Sequence, residues 1–371
     1  MEQSLICPSC NSSNTYKKGW TPEGCQRYKC RDCGRRFTTN TAQKTKKSFS
    51  RIDGLKQFLK NSPRSIEEIS DRFNAPPKVI REQLKLLKDD KYNIVENNNE
   101  VEIRTELSSG TKHLRPELWQ GDTIRFGLVS DNHLCNYNSR EDVLNALYDI
   151  FASEGVDTVF NCGNWIDGEC SFNKNELNTR GLTKQIEYAV EYYPYREGMK
   201  TKFIAGDDHE GWYSQREGIN IGEYFQMKRE QAGKFDLEYL GYTEADILLS
   251  EEGQSESWMR LIHAGGGTAY ALSYTSQKLA ESYQGGEKPK VLLIGHYHKL
   301  GYEFPREIHC IQAGTTEDQS LFMRKKKIQA MVGGVIVTLR RSKDGIINRC
   351  LPDFITFFDK KFYIGQDKYW K

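Results

Sequence analysis

The chain has 371 residues, 37% of them hydrophobic and 12% aromatic, which is enough for more than one packed core. Its formal net charge is only +2. No run of 18 apolar residues exists, which argues against a helical membrane span, and the N-terminal MEQSLICPSC lacks the apolar core of a signal peptide, so a cytoplasmic setting is expected. The small net charge hides an asymmetry: residues 1–60 hold 13 Lys/Arg against 4 Asp/Glu. A basic head on a mildly acidic body suits an anionic polymer, and a solvated basic tail is the plainer alternative.

The head, residues 1–40, carries CPSC (Cys7, Cys10) and CRDC (Cys30, Cys33), with nineteen residues between the pairs. Two residues between cysteines let both thiolates reach one tetrahedral ion, and two such knuckles complete four sulfur ligands, so one structural Zn²⁺ is expected. So short a segment cannot bury enough surface to fold alone, and the metal supplies the folding free energy. Cys25 reads as a small buried residue rather than a fifth ligand. Lys17, Lys18, Arg27, Lys29, Arg31, Arg35 and Arg36 are interleaved with Tyr16, Trp20, Tyr28 and Phe37. The pattern CPSC…KKG…QRYKCRDCGRRF resembles the zinc ribbons at the N-termini of insertion-sequence transposases and phage proteins. That resemblance implies DNA as a partner, with Lys17, Lys18, Arg27, Lys29, Arg35 and Arg36 as its contacts. A protein-binding ribbon is the alternative.

Residues 41–49 are polar and lysine-rich and read as a linker. From 50 to 108 the pattern predicts three helices and two strands. Ile52, Leu55, Phe58 and Leu59 share one helical face. Ser65 and Glu68 form a capping-box signature for a second helix, which Ala75-Pro76-Pro77 ends. The third helix runs from about Lys78 to Lys88 with Ile80, Leu84 and Leu87 inward. YNIVENNNEVEIRTEL then alternates around an Asn-rich turn. This order resembles a winged helix-turn-helix, with Arg81, Lys85 and Lys88 available to phosphates. A spacer or dimerisation module is the alternative.

From residue 122 apolar strands alternate with helical stretches. Five strand ends lead into loops holding Asp131 and His133; Asn164 and Asp167; Asp207, Asp208, His209 and Glu210; His263; and His296 and His298. Five of the chain's seven histidines lie in these loops. Loops at one edge of a sheet converge, so distant positions can build one site. Imidazole and carboxylate together suit Mn²⁺, Fe or Zn²⁺.

The order D-x-H, G-[DN]-x-x-D, G-[ND]-H-[DE], H, G-x-H over roughly residues 122–300 resembles the calcineurin-like metallophosphoesterases. The resemblance implies a fold of two β-sheets flanked by helices and a site for two divalent metal ions. Asp131, His133 and His298 would hold one ion, and Asp208, His263 and His296 the other. Asn164 would stand at the bridging position. His209 would act near the scissile phosphate, oriented by Glu210, with Asp167 and Asp207 in support. Two positions depart from the family pattern: Asn164 replaces an aspartate, and Asp208 replaces an asparagine, with Asp207 as an extra residue. A carboxylate offers two anionic oxygens to a pair of cations and an amide only one neutral oxygen, so the expectation is that Asp208, or Asp207, supplies the missing anionic contact. The rival is a degenerate site.

The expected fold is thus α+β and multidomain: zinc ribbon, winged helix-turn-helix, and a four-layer α/β/β/α metallophosphoesterase sandwich over 122–350, with a C-terminal extension at 351–371. Basic clusters at Arg324–Lys327 and Arg340-Arg341 flank the body and read as solvated surface or as contacts to a nucleic-acid backbone. Binding modules ahead of a phosphoester-cleaving body imply a phage or mobile-element DNA nuclease. A phosphatase for nucleotides or DNA ends, a protein phosphatase recruited through its ribbon, and a DNA-binding protein with a degenerate site stay open.

Overall fold

The computed structural model describes residues 6–10, 12–20, 26–38, 51–60, 62–251, 256–267, 269 and 271–357. Cys25, the linker 41–49 and residues 358–371 of the expected extension lie outside the described residues. The chain divides into two compact units, one comprising residues 1–83 and 96–102 and the other 84–95 and 103–371. The division differs from the boundaries expected at 50, 108 and 122.

In the first unit, strands β1 (Thr15–Trp20), β2 (Gln26–Cys30) and β3 (Arg36–Thr38) form an antiparallel sheet in that order. Tyr28 lies opposite both Lys17 and Phe37. Its ring stacks on Phe37 at 5.9 Å, over a core that among the described residues holds Cys7, Cys30 and Phe37. So small a module does not hold its fold without a cross-link. Helices α1 (Arg51–Leu59), α2 (Ile66–Phe73) and α3 (Pro77–Asp89) follow, with short strands β4 (Arg64–Ser65), β5 (Ile94–Asn97) and β6 (Glu100–Ile103) in the order β4-β6-β5; the division between the units falls within α3, β5 and β6. Ser65 caps α2: its hydroxyl accepts from the Glu68 N–H at 3.1 Å, and the Glu68 carboxylate accepts from the Ser65 N–H at 3.2 Å. Asn74 ends α2 in the left-handed region at φ 45°, and Pro77 opens α3, where a missing N–H costs nothing.

The second unit is built on one hydrogen-bonded sheet. Its elements are β7 (Ser109–Leu114), β8 (Thr123–Val129), α4 (Glu141–Ser153), β9 (Thr158–Asn161), α5 (Leu182–Tyr192), β10 (Lys200–Ala205), α6 (Gly211–Glu217), α7 (Ile221–Gln231) and β11 (Leu237–Leu248). Then come β12 (Trp258–His263), α8 (Tyr274–Ser282), β13 (Val291–Gly295), β14 (Leu300–Glu303), β15 (His309–Ala313), α9 (Leu321–Lys326), β16 (Gly333–Arg341) and β17 (Ile347–Thr356). The strand order is β14-β15-β13-β12-β11-β10-β9-β8-β16-β17, with β7 also on β11.

β11 joins two halves. From Leu237 to Tyr242 it pairs in parallel with β10, from Tyr242 onward it pairs in parallel with β7, and Glu244–Leu248 pairs antiparallel with β12. Thr243, at φ 60°, lies at the turn-over point. The two sheets expected are therefore one ladder folded through a shared strand. Period-2 alternation then fills three spaces. Phe126, Leu128, Phe160, Ile204 and Val337 from one half meet Met259, Leu261, Val291, Leu293 and Ile311 from the other in a core made largely of strand residues. Val129, Val159, Phe203 and Ile336 face the opposite way, onto Leu144, Leu147, Ile186 and Phe225 of the helices. Leu292, Ile294 and Cys310 pack with Ala280 of α8. Burying one such side chain contributes about 1.5–3 kcal/mol. β17 pairs with β16 from Ile347 to Thr356, so the expected boundary at 350/351 falls inside a strand, and 351–356 belong to the sheet rather than to an extension.

Candidate metal centre

In the head, the sulfurs of Cys7 and Cys33 are 3.6 Å apart and those of Cys10 and Cys30 3.5 Å, and all four lie within 4.8 Å of one another. Four sulfurs held ~2.3 Å from one ion sit ~3.8 Å apart in a tetrahedron, so the four cysteines form a zinc site. Backbone bonds shape the knuckles: the Cys7 N–H donates to Ser12 and the Cys30 N–H to Arg35. Lys29 lies opposite Tyr16 and Arg36, and Arg27, two residues along β2, shares that face. Arg31 lies over the Tyr16 ring at 4.8 Å. Lys17 is on the opposite face, across from Tyr28, so the six expected DNA contacts do not share one surface. Lys18 and Arg35 are exposed, Arg35 beside Ser9.

In the second unit, the loops after β8, β9, β10, β12, β13 and β15 meet at the strand ends. They bring together Asp131, His133 and His298, and separately Asp208, His263 and His296; within each group the donor atoms lie within 4.8 Å. His133 Nε2 is 3.2 Å from His298 Nε2, which is 3.4 Å from an Asp131 oxygen. Asp208 reaches His263 Nε2 at 3.2 Å and His296 Nδ1 at 3.4 Å. The outer ring nitrogens of three histidines are held: His133 Nδ1 by Asp167 at 2.9 Å, His263 Nδ1 by the Cys162 carbonyl at 2.7 Å, and His296 Nε2 by the Gly266 carbonyl at 2.8 Å. This leaves the other nitrogen of each for the site. Asp131 accepts from Ser130 Oγ at 2.6 Å and from the His296 N–H at 2.8 Å.

The backbone is strained here. Asp131, His133, Asn164, His209, His296 and His298 all have φ between 47° and 84°. Left-handed backbone at a non-glycine residue costs free energy and persists only where surrounding bonds impose it. Gly206 must be glycine for a different reason: a Cβ there would lie 2.5 Å from Asn164 Oδ1 and 2.9 Å from the His263 ring.

Asn164 lies between the groups, its Nδ2 donating to Asp131 at 3.3 Å. Its Oδ1 is buried without a hydrogen-bond partner among the described residues. Buried polar atoms are normally paired, and a divalent cation suits this donor set. Burial alone would push the Asp131 carboxyl up, yet the facing His298 holds it below the usual range; Asp208 is held down in the same way, chiefly by His263. Burial and the nearby His209 pull His133 down to about 4, whereas Asp208 raises His263 to about 9 against its burial.

Three expected roles change. Glu210 does not touch His209: its Oε1 accepts the backbone N–H groups of Asn164 and Gly206, both at 2.8 Å, and so ties two loops together. Burial pushes its carboxyl up to about 8. Asp167 is what holds His209, through its carbonyl at 2.9 Å and its carboxylate at 3.0 Å. Asp207 is exposed and joins neither group, whereas Asp208 reaches His263 and His296. Glu317 was not anticipated: it is buried 3.9 Å from both His133 Nε2 and His298 Nδ1. The loop after β15 is the only signal for it. Asn136 and Asn173, each donating to Asp167 at 3.0 Å, have no sequence signal. His133, Asn164, Asp208, His209, His296 and His298 line a cleft of about 470 Å³.

Residues 3–34 match the family model described as the InsA N-terminal domain, a zinc ribbon. The InsA protein of insertion element iso-IS1N from Shigella dysenteriae is 39% identical over 55 residues, 15% of this chain. The match spans 56% of that relative's length. Solved structures similar to the chain include an archaeal phosphodiesterase, 14% identical, with a TM-score of 0.33, over 62% of this chain and 100% of that one. Vacuolar protein sorting 29 from Cryptosporidium parvum is 11% identical, with a TM-score of 0.29, over 64% of this chain and 100% of that one. No helix among the described residues is long and apolar enough to cross a membrane.

Proposed function

We propose that the chain is a metal-dependent phosphodiesterase of the calcineurin-like type, a nuclease that acts on DNA and is carried by a phage or mobile element. The observation that carries this reading is the pair of three-residue donor groups on one cleft, each with carboxylate and imidazole ligands and braced ring nitrogens. Asp131, His133 and His298 would hold one divalent ion and Asp208, His263 and His296 a second, with Asn164 Oδ1 facing between them; Mn²⁺ suits the donor set best, with Fe or Zn²⁺ as alternatives. Bound there, such ions supply Lewis acidity at a phosphate and a water of lowered pKa.

The chain's own residues do the rest. Asp167 fixes one ring nitrogen of His209 and leaves Nε2 to donate a proton to the leaving oxygen. Glu210 locks the Asn164 and Gly206 backbones, so both donor groups keep their spacing. The ribbon face carrying Arg27, Lys29 and Arg36 contacts phosphates, and α1–α3 with β4, β5 and β6 act as a winged helix, presenting Arg81 and Lys85 to a backbone.

The test is cleavage of end-labelled single- and double-stranded DNA with Mn²⁺, run beside His209→Ala. The wild type should cut, and His209→Ala should be slower by on the order of 10² or more. If the wild type cuts neither DNA but releases a terminal phosphate, the nuclease reading gives way to a phosphatase.

A further inference from the structure

Two exposed aromatic side chains stand at the rim of the metal cleft, outside the hydrophobic clusters of the described residues. Phe172 is 48% exposed and Phe322 40% exposed. They come from different segments, yet their rings stack at 5.5 Å with 29° between planes. Phe172 also meets the edge of His209, with ring centres 5.8 Å apart. Single exposed hydrophobic residues are ordinary; a stacked exposed pair beside a site is not.

Both rings are firmly placed. Asn173, next to Phe172, donates to the Asp167 carbonyl and carboxylate at 3.0 Å each, so the group that holds His209 also holds this loop. Phe322 lies in the first turn of α9, which Ser320 caps through the Met323 N–H at 3.3 Å. The Leu321 N–H donates to Glu176 at 3.2 Å, which ties α9 to the Phe172 loop. Met323 is buried beneath. The rest of this short segment is basic: Arg324, Lys325, Lys326 and Lys327 are exposed, and Lys326 lines the cleft itself.

Aromatic faces beside cations are how proteins hold single strands, because every base offers a flat face and every nucleotide an anion. In a duplex those faces are covered by neighbouring bases. We infer that Phe172 and Phe322 form a stacking platform for an unpaired base next to the phosphate in the cleft, with Arg324–Lys327 taking the strand backbone, so that single-stranded nucleic acid is the substrate class. This rests on the phosphoesterase reading above and narrows it.

The test has a binding arm and a cleavage arm, both on the full chain. In the first, binding of a labelled six-nucleotide strand and of an abasic strand of equal length is measured by fluorescence anisotropy without added divalent metal. The wild type should prefer the strand with bases by on the order of tenfold. Phe172→Ala/Phe322→Ala should abolish that preference and leave the abasic strand unaffected, while Phe322→Trp should keep it. Equal binding of both strands by the wild type, or a preference that survives in the double variant, overturns the inference. In the second arm, Mn²⁺-dependent cutting of single strands should exceed that of duplex, and the double variant should raise KM for single strands. Duplex cut as fast as single strands overturns the platform but leaves the phosphoesterase. Absence of any turnover removes the phosphoesterase reading, and the binding arm still decides the platform.

Discussion

Asp208 joins the two histidines of its donor group. It touches both His263 and His296, and it supplies the only carboxylate of its group. Asparagine there would keep the shape but remove the charge. Asp208→Asn should therefore cost one of three bound metal equivalents per chain, the ribbon's zinc included, measured by elemental analysis after dialysis; three equivalents retained would contradict the assignment. Glu210 makes a contrasting prediction. Its Oε1 accepts two buried N–H groups, and leaving each unpaired costs about 1–3 kcal/mol. Glu210→Ala should lower stability by about 2–6 kcal/mol in urea denaturation, whereas a residue acting only on His209 would leave stability unchanged. The histidines and their carboxylates were legible because strand-end loops must converge. The partners of Asp167 were not, because asparagine is common in any loop and nothing local says which one turns inward. Asp207 and Asp208 are indistinguishable as neighbours in sequence; only the fold shows which of them reaches the histidines.

Among the elements, α2 was readable to the residue, since Ser65 and Glu68 satisfy the helix end from within four positions. The strands were readable as strands, because Leu128 and Val129, or Leu292 and Leu293, alternate between two apolar layers. Their order was not, because pairing joins residues far apart, and the double use of β11 leaves no local mark. Helix α7 adds a device that periodicity hides: Arg229, fully buried, makes paired bonds to Asp236 at 3.0 and 2.8 Å and donates to the Val190 and Pro194 carbonyls. These bonds fasten the helix to the start of β11 and to the end of α5. Removing one member of a buried ion pair leaves the other uncompensated, at a cost of about 3–5 kcal/mol. Arg229→Met should show that loss in chemical denaturation, and adding Asp236→Leu should recover part of it. If the single and double variants are equally destabilised, packing rather than charge holds this corner.

At the scale of the whole molecule, the question is whether the head contributes affinity and the body chemistry. The head's small core cannot stand without its metal, so Cys30→Ser should unfold the ribbon and leave the body's fold intact. Phosphate contacts have a signature that shape recognition lacks: each releases counterions, so log K falls with log salt by about 0.9 per contact on duplex DNA. Arg27, Lys29 and Arg36 share one ribbon face. Replacing all three with glutamine should therefore flatten that slope by up to about 3, and Cys30→Ser should flatten it at least as much. Neither change should alter hydrolysis of a small diester such as bis(p-nitrophenyl) phosphate, which is too short to reach beyond the cleft. A slope that survives both variants would move DNA binding away from the ribbon, to the exposed cations of α3 or to the basic segment beside the cleft. Replacing Arg324–Lys327 with glutamine separates these two, because only the cleft-side cations should change KM for a strand being cut.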